Sequence, residues 1–341
     1  MGTRHVVGPM AERPTVTAVV VVFRYDDEST EQCIASLASS LGATVEVCVV
    51  HNGDVGDWPA VDELCRRYGA TALRSPLNHG YGAALNLALV KVPADQAVFL
   101  LNDDAWVMPD TISACLDVLA EAGERCISVA PMVVHADAPE RVDSLGVVLR
   151  PSGDAFNAYQ GRQRSDIAAL AVDVLGPCFA AALFRPGAFA ADKVGLLSER
   201  YFLYCEDVEW NVRARHHGFH SVAAPHAIAF HHHALSTREL GEPTRIGLVQ
   251  RNLLVMTLAT LSPWGVFKVW TRQAVVHTKA LIRDPHRRPR LRALAGAVAL
   301  VPWAVAVRRR NRGQHPVADH DLFRFSDGHA PAIDPATYTL S

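Results

Sequence analysis

No Cys-x-x-Cys pair occurs in the 341 residues, and the seven cysteines are odd in number with mostly apolar neighbours. That pattern excludes a disulfide framework and a zinc site, and predicts reduced, buried thiols in a cytosolic protein. Residues 1–14 hold no apolar stretch of signal-peptide length, so the body is expected not to be exported. Gly2 is not a myristoylation signal, because Val6 stands where Ser or Thr is needed. Two uncharged stretches of the second half, 252–267 and 293–307, are 16 and 15 residues long, short of the roughly 20 apolar residues that cross a bilayer. Both common glycine fingerprints for phosphates are also missing: Asn78-His79-Gly80-Tyr81-Gly82 has glycines but neither spacing, which excludes a Rossmann dinucleotide site and a P-loop. Finally, acid is nearly absent from 245–312, where fourteen basic residues face Asp284 alone, leaving 19 basic and 34 acidic residues elsewhere. An acidic body with a basic region faces an anionic partner.

What is present is ample for one large α/β domain with an appendage: half of the residues are hydrophobic, 20% are charged and the net charge is -2. Residues 16–23 form a β-branched run that ends in the polar cluster Arg24-Tyr25-Asp26-Asp27-Glu28. A helix carrying Cys33, Ile34, Leu37 and Leu41, capped by Ser29 or Thr30, follows. Residues 45–50 repeat the buried strand, stop at His51-Asn52-Gly53-Asp54, and lead into a helix over 58–68. A short strand at 70–74 and the run 96–101 complete four β-α repeats, which predict a mainly parallel sheet with right-handed crossovers. Ligand loops then gather on one edge, at 24–27, 51–54, 78–82 and 102–104. Beyond Pro131 the strands are expected to be short and antiparallel or at an edge (132–134, 142–149, 171–175), with a loop at 151–166. The small, apolar stretch 176–184 suits a strand on a pocket floor, and Pro186 opens a short helix.

The run 96–101 stops on Asn102-Asp103-Asp104. Two acids bordering a hydrophobic core suffer desolvation and mutual repulsion unless a positive partner joins them, and a hard divalent cation is the simplest one. The competing reading is a turn and helix cap at Pro109-Asp110. A second pair, Glu206 and Asp207, lies in the first turn of a helix marked by Val208, Val212 and Arg215, where the same acids also serve as plain capping residues. Residues 222–230 read as a strand pair broken by Pro225 and ending in His231-His232-His233. Strand neighbours face opposite ways, so at most His231 and His233 share a side.

Together these motifs resemble the inverting glycosyltransferases of family 2, with their nucleotide-sugar-binding GT-A fold. The ordered set spans 16–236: strand, Asn-Gly turn, Asn-x-Gly-x-Gly-x-x-x-Asn, Asn-Asp-Asp, a Gly-rich strand, Tyr-Phe-x-Tyr-x-Glu-Asp-Val-Glu and a terminal His. It is most similar to bacterial rhamnosyltransferases and galactofuranosyltransferases that build cell-envelope polysaccharides on lipid-linked acceptors. The resemblance implies that Asp104 binds Mg2+ or Mn2+ bridging the donor diphosphate, with His231 closing the metal site and His233 as its alternate. Asn102 replaces the family's first Asp and Asp103 fills the variable middle place. Asp207 is implied as the catalytic base with Glu206 beside it. Phe23, Arg24, His51, Asn52, Asn78 and Gly80 fall on the donor loops. His51 departs from the family, which carries an Asp there to read a uracil or thymine edge; an imidazole still accepts one hydrogen bond in one tautomer.

The expected layout is a tail (1–14), a GT-A catalytic domain (15–240, with a nucleotide-binding half 15–131 and an acceptor half 132–240), a basic apolar helical region (241–313) and a poorly ordered tail (314–341). Helices interrupted by Pro263 and Pro302 are expected to lie in a membrane interface, anchored by Trp264, Trp270, Trp303 and the arginines of 245–312; a basic helical subdomain packed on the body is the alternative. The whole implies a metal-dependent transferase on the cytoplasmic face of the cell membrane, taking a dTDP-, UDP- or GDP-sugar, with L-rhamnose from dTDP-rhamnose first, to a lipid-linked or polysaccharide acceptor. A sugar nucleotidyltransferase is disfavoured because no glycine follows the first strand. A non-catalytic nucleotide-sugar or nucleic-acid binder is disfavoured because the basic groups bracket apolar helices, so no nucleic-acid partner is expected.

Overall fold

The computed structural model describes residues 13–170, 172–232, 241–283, 287–311 and 317–326. In chain order the first half comprises β1 (Thr15–Val22), α1 (Asp27–Ala38), β2 (Thr44–His51), α2 (Trp58–Tyr68), β3 (Thr71–Arg74), α3 (Tyr81–Leu89), β4 (Ala97–Asn102), β5 (Ala105–Val107), α4 (Thr111–Glu121) and β6 (Cys126–His135). Then follow β7 (Ala138–Ser144), β8 (Val147–Leu149), β9 (Ala155–Asn157), β10 (Val172–Val174), β11 (Ala181–Phe184), α5 (Glu206–His216) and β12 (His220–His231). The C-terminal part is helical: α6 (Glu242–Thr260), α7 (Pro263–Arg283), α8 (Arg287–Ala299), α9 (Val301–Asn311) and α10 (Asp319–Phe323).

The β-branched run of β1 sits at the centre because both of its faces are apolar. Val16, Ala18, Val20 and Val22 enter one core layer and Val19 and Val21 the other, the two-residue alternation of a strand. Helices α1, α2 and α4 cover the first face through Ile34, Leu64 and Ile112, and α3 and α5 cover the second through Leu85 and Trp210. The sheet runs β10-β12-β6-β11-β4-β1-β2-β3, with β5 on β12 and β7 on β6; β8 and β9 form a separate ribbon. The predicted parallel half is β3-β2-β1-β4. Beyond it β11 lies antiparallel between β4 and β6, and β12 is parallel to β6, so the sheet is mixed. Two reversals restore the original direction, and β1, β2, β4, β6 and β12 therefore all end on one rim, at Val22, His51, Asn102, His135 and His231.

Several local expectations are corrected. Asp26 caps α1, accepting from the Ser29 amide at 2.9 Å, because it stands just before the helix in extended backbone while Ser29 and Thr30 already lie inside the first turn; Leu41 falls past the helix and is 59% exposed. Residues 132–134 are not a short edge strand but the end of ten-residue β6, which passes through Pro131. Only Ala181–Phe184 of 176–184 is strand, and Pro186 opens turns instead of a helix. Pro225 does not divide a pair: β12 is one strand that absorbs the proline in a bulge between Ala224 and Ile228.

The C-terminal helices pack on the body. Leu254, Val255 and Met256 of α6, Val269 of α7, Ala297 of α8 and Ala304 of α9 share a core with Tyr201, Val208, Val212 and Leu149. Trp303, expected at a membrane interface, instead meets Tyr201 edge-on at 5.7 Å, since that apolar wall is what its ring covers. Trp264 and Phe267 do stay outward, 62% and 58% exposed and stacked on each other. No single described helix is long and apolar enough to cross a membrane; Arg288–Ala299 and Val301–Arg310 pass only as a pair bent by 49°. Part of the tail expected to be poorly ordered is docked: Leu322 and Phe325 are buried, and Arg324 reaches the buried Asp173.

Candidate active site

The rim built by the strand ends brings the first acid cluster and the terminal histidine together across more than a hundred positions. His231, 7% exposed at the end of β12, places Nε2 3.1 Å from Asp104 Oδ1 and Nδ1 2.8 Å from Asp143 Oδ2. The Asn102 carboxamide lies 3.5 Å from the same Nε2. β5 pairs with β12 in the register Ala105↔His231, which carries Asp104 to the imidazole, and the Asp104 carbonyl accepts from the His232 amide at 3.0 Å. Burial works against a charge on His231, yet hydrogen bonds to Asp104 and then Asp143 outweigh it and hold its pKa up at about 9. Asp103, buried under the Phe23 amide, is pushed up to about 8 by burial first and by Asp104 second.

Asp207 and Glu206 open α5. The Phe179 amide donates to the Asp207 carboxylate, and the Tyr81 hydroxyl lies 3.0 Å from the Phe179 carbonyl and 3.1 Å from Asn102 Oδ1. One tyrosine thus bridges the two acid clusters. Cys178 lies within electrostatic reach of both Asp207 and Asp143, a second sign that the clusters share one space. Burial raises both carboxyls of α5, and Glu206 more, because it also feels the Asp207 charge.

The donor-side loops are knitted together. Asn52 Nδ2 donates to Asn78 Oδ1 at 3.1 Å and to the Gly80 carbonyl at 3.3 Å, and Asn78 Oδ1 also accepts from the Gly80 amide. Gly80, at φ +90°, has no room for a side chain against the Phe202 carbonyl, and Gly53 none against that of Phe23. Arg24 is exposed, its guanidinium 5.9 Å from the Phe23 ring. His51 is 1% exposed, edge-on to Trp58 at 6.4 Å, and burial keeps its imidazole neutral. His233 lies outside the described residues.

Sequence reasoning missed Asp143 and Tyr81. Asp143 carried a signal: it is a lone acid between Val142 and Leu145, and a carboxylate in an apolar run is rarely buried without a partner elsewhere in the fold. Tyr81 sits between two glycines and gave none. A groove of about 860 Å³ lies elsewhere, walled by Leu89, Phe189, Leu197, Arg213 and Trp303, and contains none of these acids.

Among the described residues no three His, Cys, Asp or Glu side chains surround a common point. Asp104 and His231 converge nonetheless, and a Mg2+-like ion takes one or two protein ligands with the remainder from water and substrate phosphate. A buried imidazole backed by a second carboxylate, Asp143, is the usual support of a metal-binding histidine. The residues present fit such an ion.

Residues 17–189, half of the chain, match the family described as Glycosyl transferase family 2. In sequence the chain is 28% identical over 246 residues to the N-acetylglucosaminyl-diphospho-decaprenol L-rhamnosyltransferase of Mycobacterium tuberculosis (strains CDC 1551 / Oshkosh and H37Rv), covering 65% of this chain and 78% of that protein. Among solved structures it is similar to GalNAc-T7 with UDP, GalNAc and Mn2+, at TM-score 0.62 and 11% identity, covering 89% of this chain and 58% of that one, less than two thirds. S. aureus TarS 1-349 in complex with UDP gives 0.53 at 14% identity, covering 92% of each chain. The mannosyltransferase PcManGT from Pyrobaculum calidifontis, in complex with GDP-Man and Mn2+, gives 0.50 at 15%, covering 86% and 88%. At these identities the structural likeness is one of fold, the GT-A fold, and the family match makes the protein a glycosyltransferase.

Proposed function

We propose that this chain, which belongs to glycosyl transferase family 2, is an inverting transferase that moves L-rhamnose from dTDP-rhamnose to a lipid-linked or cell-envelope polysaccharide acceptor. The observation that carries this reading is the approach of Asp104 and His231 to 3.1 Å on a rim shared, through Tyr81 and Phe179, with Asp207. Two acid sites with different surroundings suit two different tasks. Asp207 takes the proton of the acceptor hydroxyl as its oxygen bonds to the anomeric carbon, while the bond to the diphosphate oxygen breaks and the nucleoside diphosphate leaves with the electron pair. Asp104 and His231 would hold Mg2+ or Mn2+, which supplies charge neutralisation to the departing diphosphate when bound. Asp143 fixes the ring of His231. Asn52, Asn78 and Gly80 shape the donor pocket beside Phe23, Arg24, Asn102 and Asp103, and neutral His51 offers one acceptor to a pyrimidine edge. L-rhamnose is favoured by the name of the mycobacterial relative, as is a polyprenyl-diphosphate-linked acceptor. Turnover assayed with dTDP-rhamnose, UDP-sugars and GDP-mannose, on polyprenyl-diphospho-N-acetylglucosamine with Mn2+, should favour dTDP-rhamnose by roughly tenfold or more. Equal or better turnover of another donor removes the rhamnose assignment and leaves the transferase.

The division into a catalytic body (15–240) and a basic helical region (241–313) belongs to the same proposal, as does a place on the cytoplasmic face of the membrane. Helices α7, α8 and α9 carry no acid in their described span, and exposed Trp264 and Phe267 stand beside Lys268 on α7. This surface suits anionic phospholipid, where each nearby basic residue contributes about 1 kcal/mol before screening. Sedimentation with phosphatidylglycerol-containing vesicles should fall roughly fivefold or more in a Trp264→Ser, Phe267→Ser double variant, and in high salt. Binding that ignores both changes, or no binding at all, removes the peripheral docking.

A further inference from the structure

Just ahead of the proposed base, the backbone is held in a conformation that it would not adopt unaided. Phe202, Tyr204 and Cys205 have φ of 67°, 72° and 70°, three non-glycine residues in the left-handed half of φ within four positions. At Phe202, with ψ -62°, the chain makes the rare strained form of the γ-turn, closed by the Leu203 amide donating to the Tyr201 carbonyl at 2.8 Å. Strain of this kind persists only where surrounding structure over-determines it. The loop leads directly into Glu206 and Asp207, and its other side touches the donor loop, where the Tyr81 amide donates to the Phe202 carbonyl at 2.7 Å.

What over-determines it comes from the C-terminal helices. Asn252 of α6 is fully buried, and its Nδ2 lies 2.9, 2.8 and 2.8 Å from the carbonyls of Tyr201, Leu203 and Tyr204. Arg251 orients that carboxamide, its Nε donating to Asn252 Oδ1 at 2.9 Å, and its Nη2 donates to the Tyr201 carbonyl at 2.7 Å. Asn252 thus gathers three carbonyls of the strained turn around one amide group, the Tyr201 carbonyl being shared with the Leu203 amide and Arg251, and a buried carbonyl that loses such a donor is costly.

We infer that Asn252, set by Arg251, is a positioning residue that holds the 201–205 loop in its strained form and so fixes Asp207 against the donor loop. The helical region is thereby part of the catalytic unit. This rests on the reading of Asp207 as the base. A misplacement of about 1 Å costs on the order of a hundredfold in rate, so Asn252→Ala should lower kcat roughly 30-fold or more while the KM for dTDP-rhamnose stays within about threefold. Glycine has no penalty in the left-handed region, so adding Cys205→Gly to Asn252→Ala should recover roughly fivefold in kcat, which loss of packing alone would not allow. If Asn252→Ala does not fold, Arg251→Met, measured the same way, should lower kcat roughly fivefold at unchanged KM. A kcat within about threefold of the parent, parallel losses in kcat and KM, or no recovery with Cys205→Gly overturns the inference. Asp207→Asn run alongside tells the failures apart: if it keeps turnover, the base assignment fails and the inference falls with it, whereas an inactive Asp207→Asn beside an unaffected Asn252→Ala removes the inference alone.

Discussion

Asp207→Asn should lose roughly a thousandfold in kcat while binding the nucleotide-sugar as the parent does, because a positioned general base is worth about 10²–10⁴ and the amide keeps the shape of the carboxylate. The replacement still accepts from the Phe179 amide and still opens α5, so the loss isolates the proton-accepting role. Glu206→Gln should cost roughly tenfold or less, since Glu206 feels both burial and its neighbour's charge and is the member of the pair that stays protonated. The pH dependence follows with a definite sign. Burial raises the Asp207 carboxyl, so the base form is complete above the raised value and is lost as pH falls through it. The acid limb of kcat should therefore lie well above the value of about 4 for a free carboxylate. An Asp207→Asn variant within about tenfold of the parent, or a limb at about pH 4, contradicts the assignment.

Asp104→Ala and His231→Ala should each weaken Mn2+-dependent binding of dTDP by roughly a hundredfold or more, measured by calorimetry with and without the ion. Each removes one of two protein ligands, and the diphosphate then meets the nearby Asp143 and Asp207 carboxyls with less counter-charge. Asp143→Asn should fall between these and the parent, at roughly tenfold, because it frees the ring of His231 without removing a ligand. Binding of dTDP that is equal with and without Mn2+ in all four proteins contradicts a metal at this pair.

The parts of the molecule that were legible in the sequence are those governed by local pattern. The apolar runs of β1, β2 and β4 and the helix over Trp58–Tyr68 follow from periodicity and abrupt polar stops, and they carry Asn52, Asn102, Asp103 and Asp104 to one rim. Beyond Pro131 the pattern misleads, because tertiary pairing overrides it: β6 and β12 tolerate Pro131 and Pro225 inside long strands once partners lie on both sides. Asp143 and Tyr81 were not assigned to the site for a related reason, since β7 folding back on β6 and the positive-φ turn at Gly80 are what aim them inward. The amphipathic surface around Trp264 was legible, while the packing of Trp303 on the body was not, because the wall it covers is built by Tyr201 a hundred positions earlier.

The most direct test of the central claim is the anomalous-scattering position of Mn2+ in crystals grown with dTDP. The ion should lie within about 2.5 Å of an Asp104 oxygen and a His231 nitrogen and against the diphosphate, with the Asp207 carboxylate facing the space beyond it. Mn2+ held by the nucleotide away from both side chains, or at another acid cluster, would contradict the account.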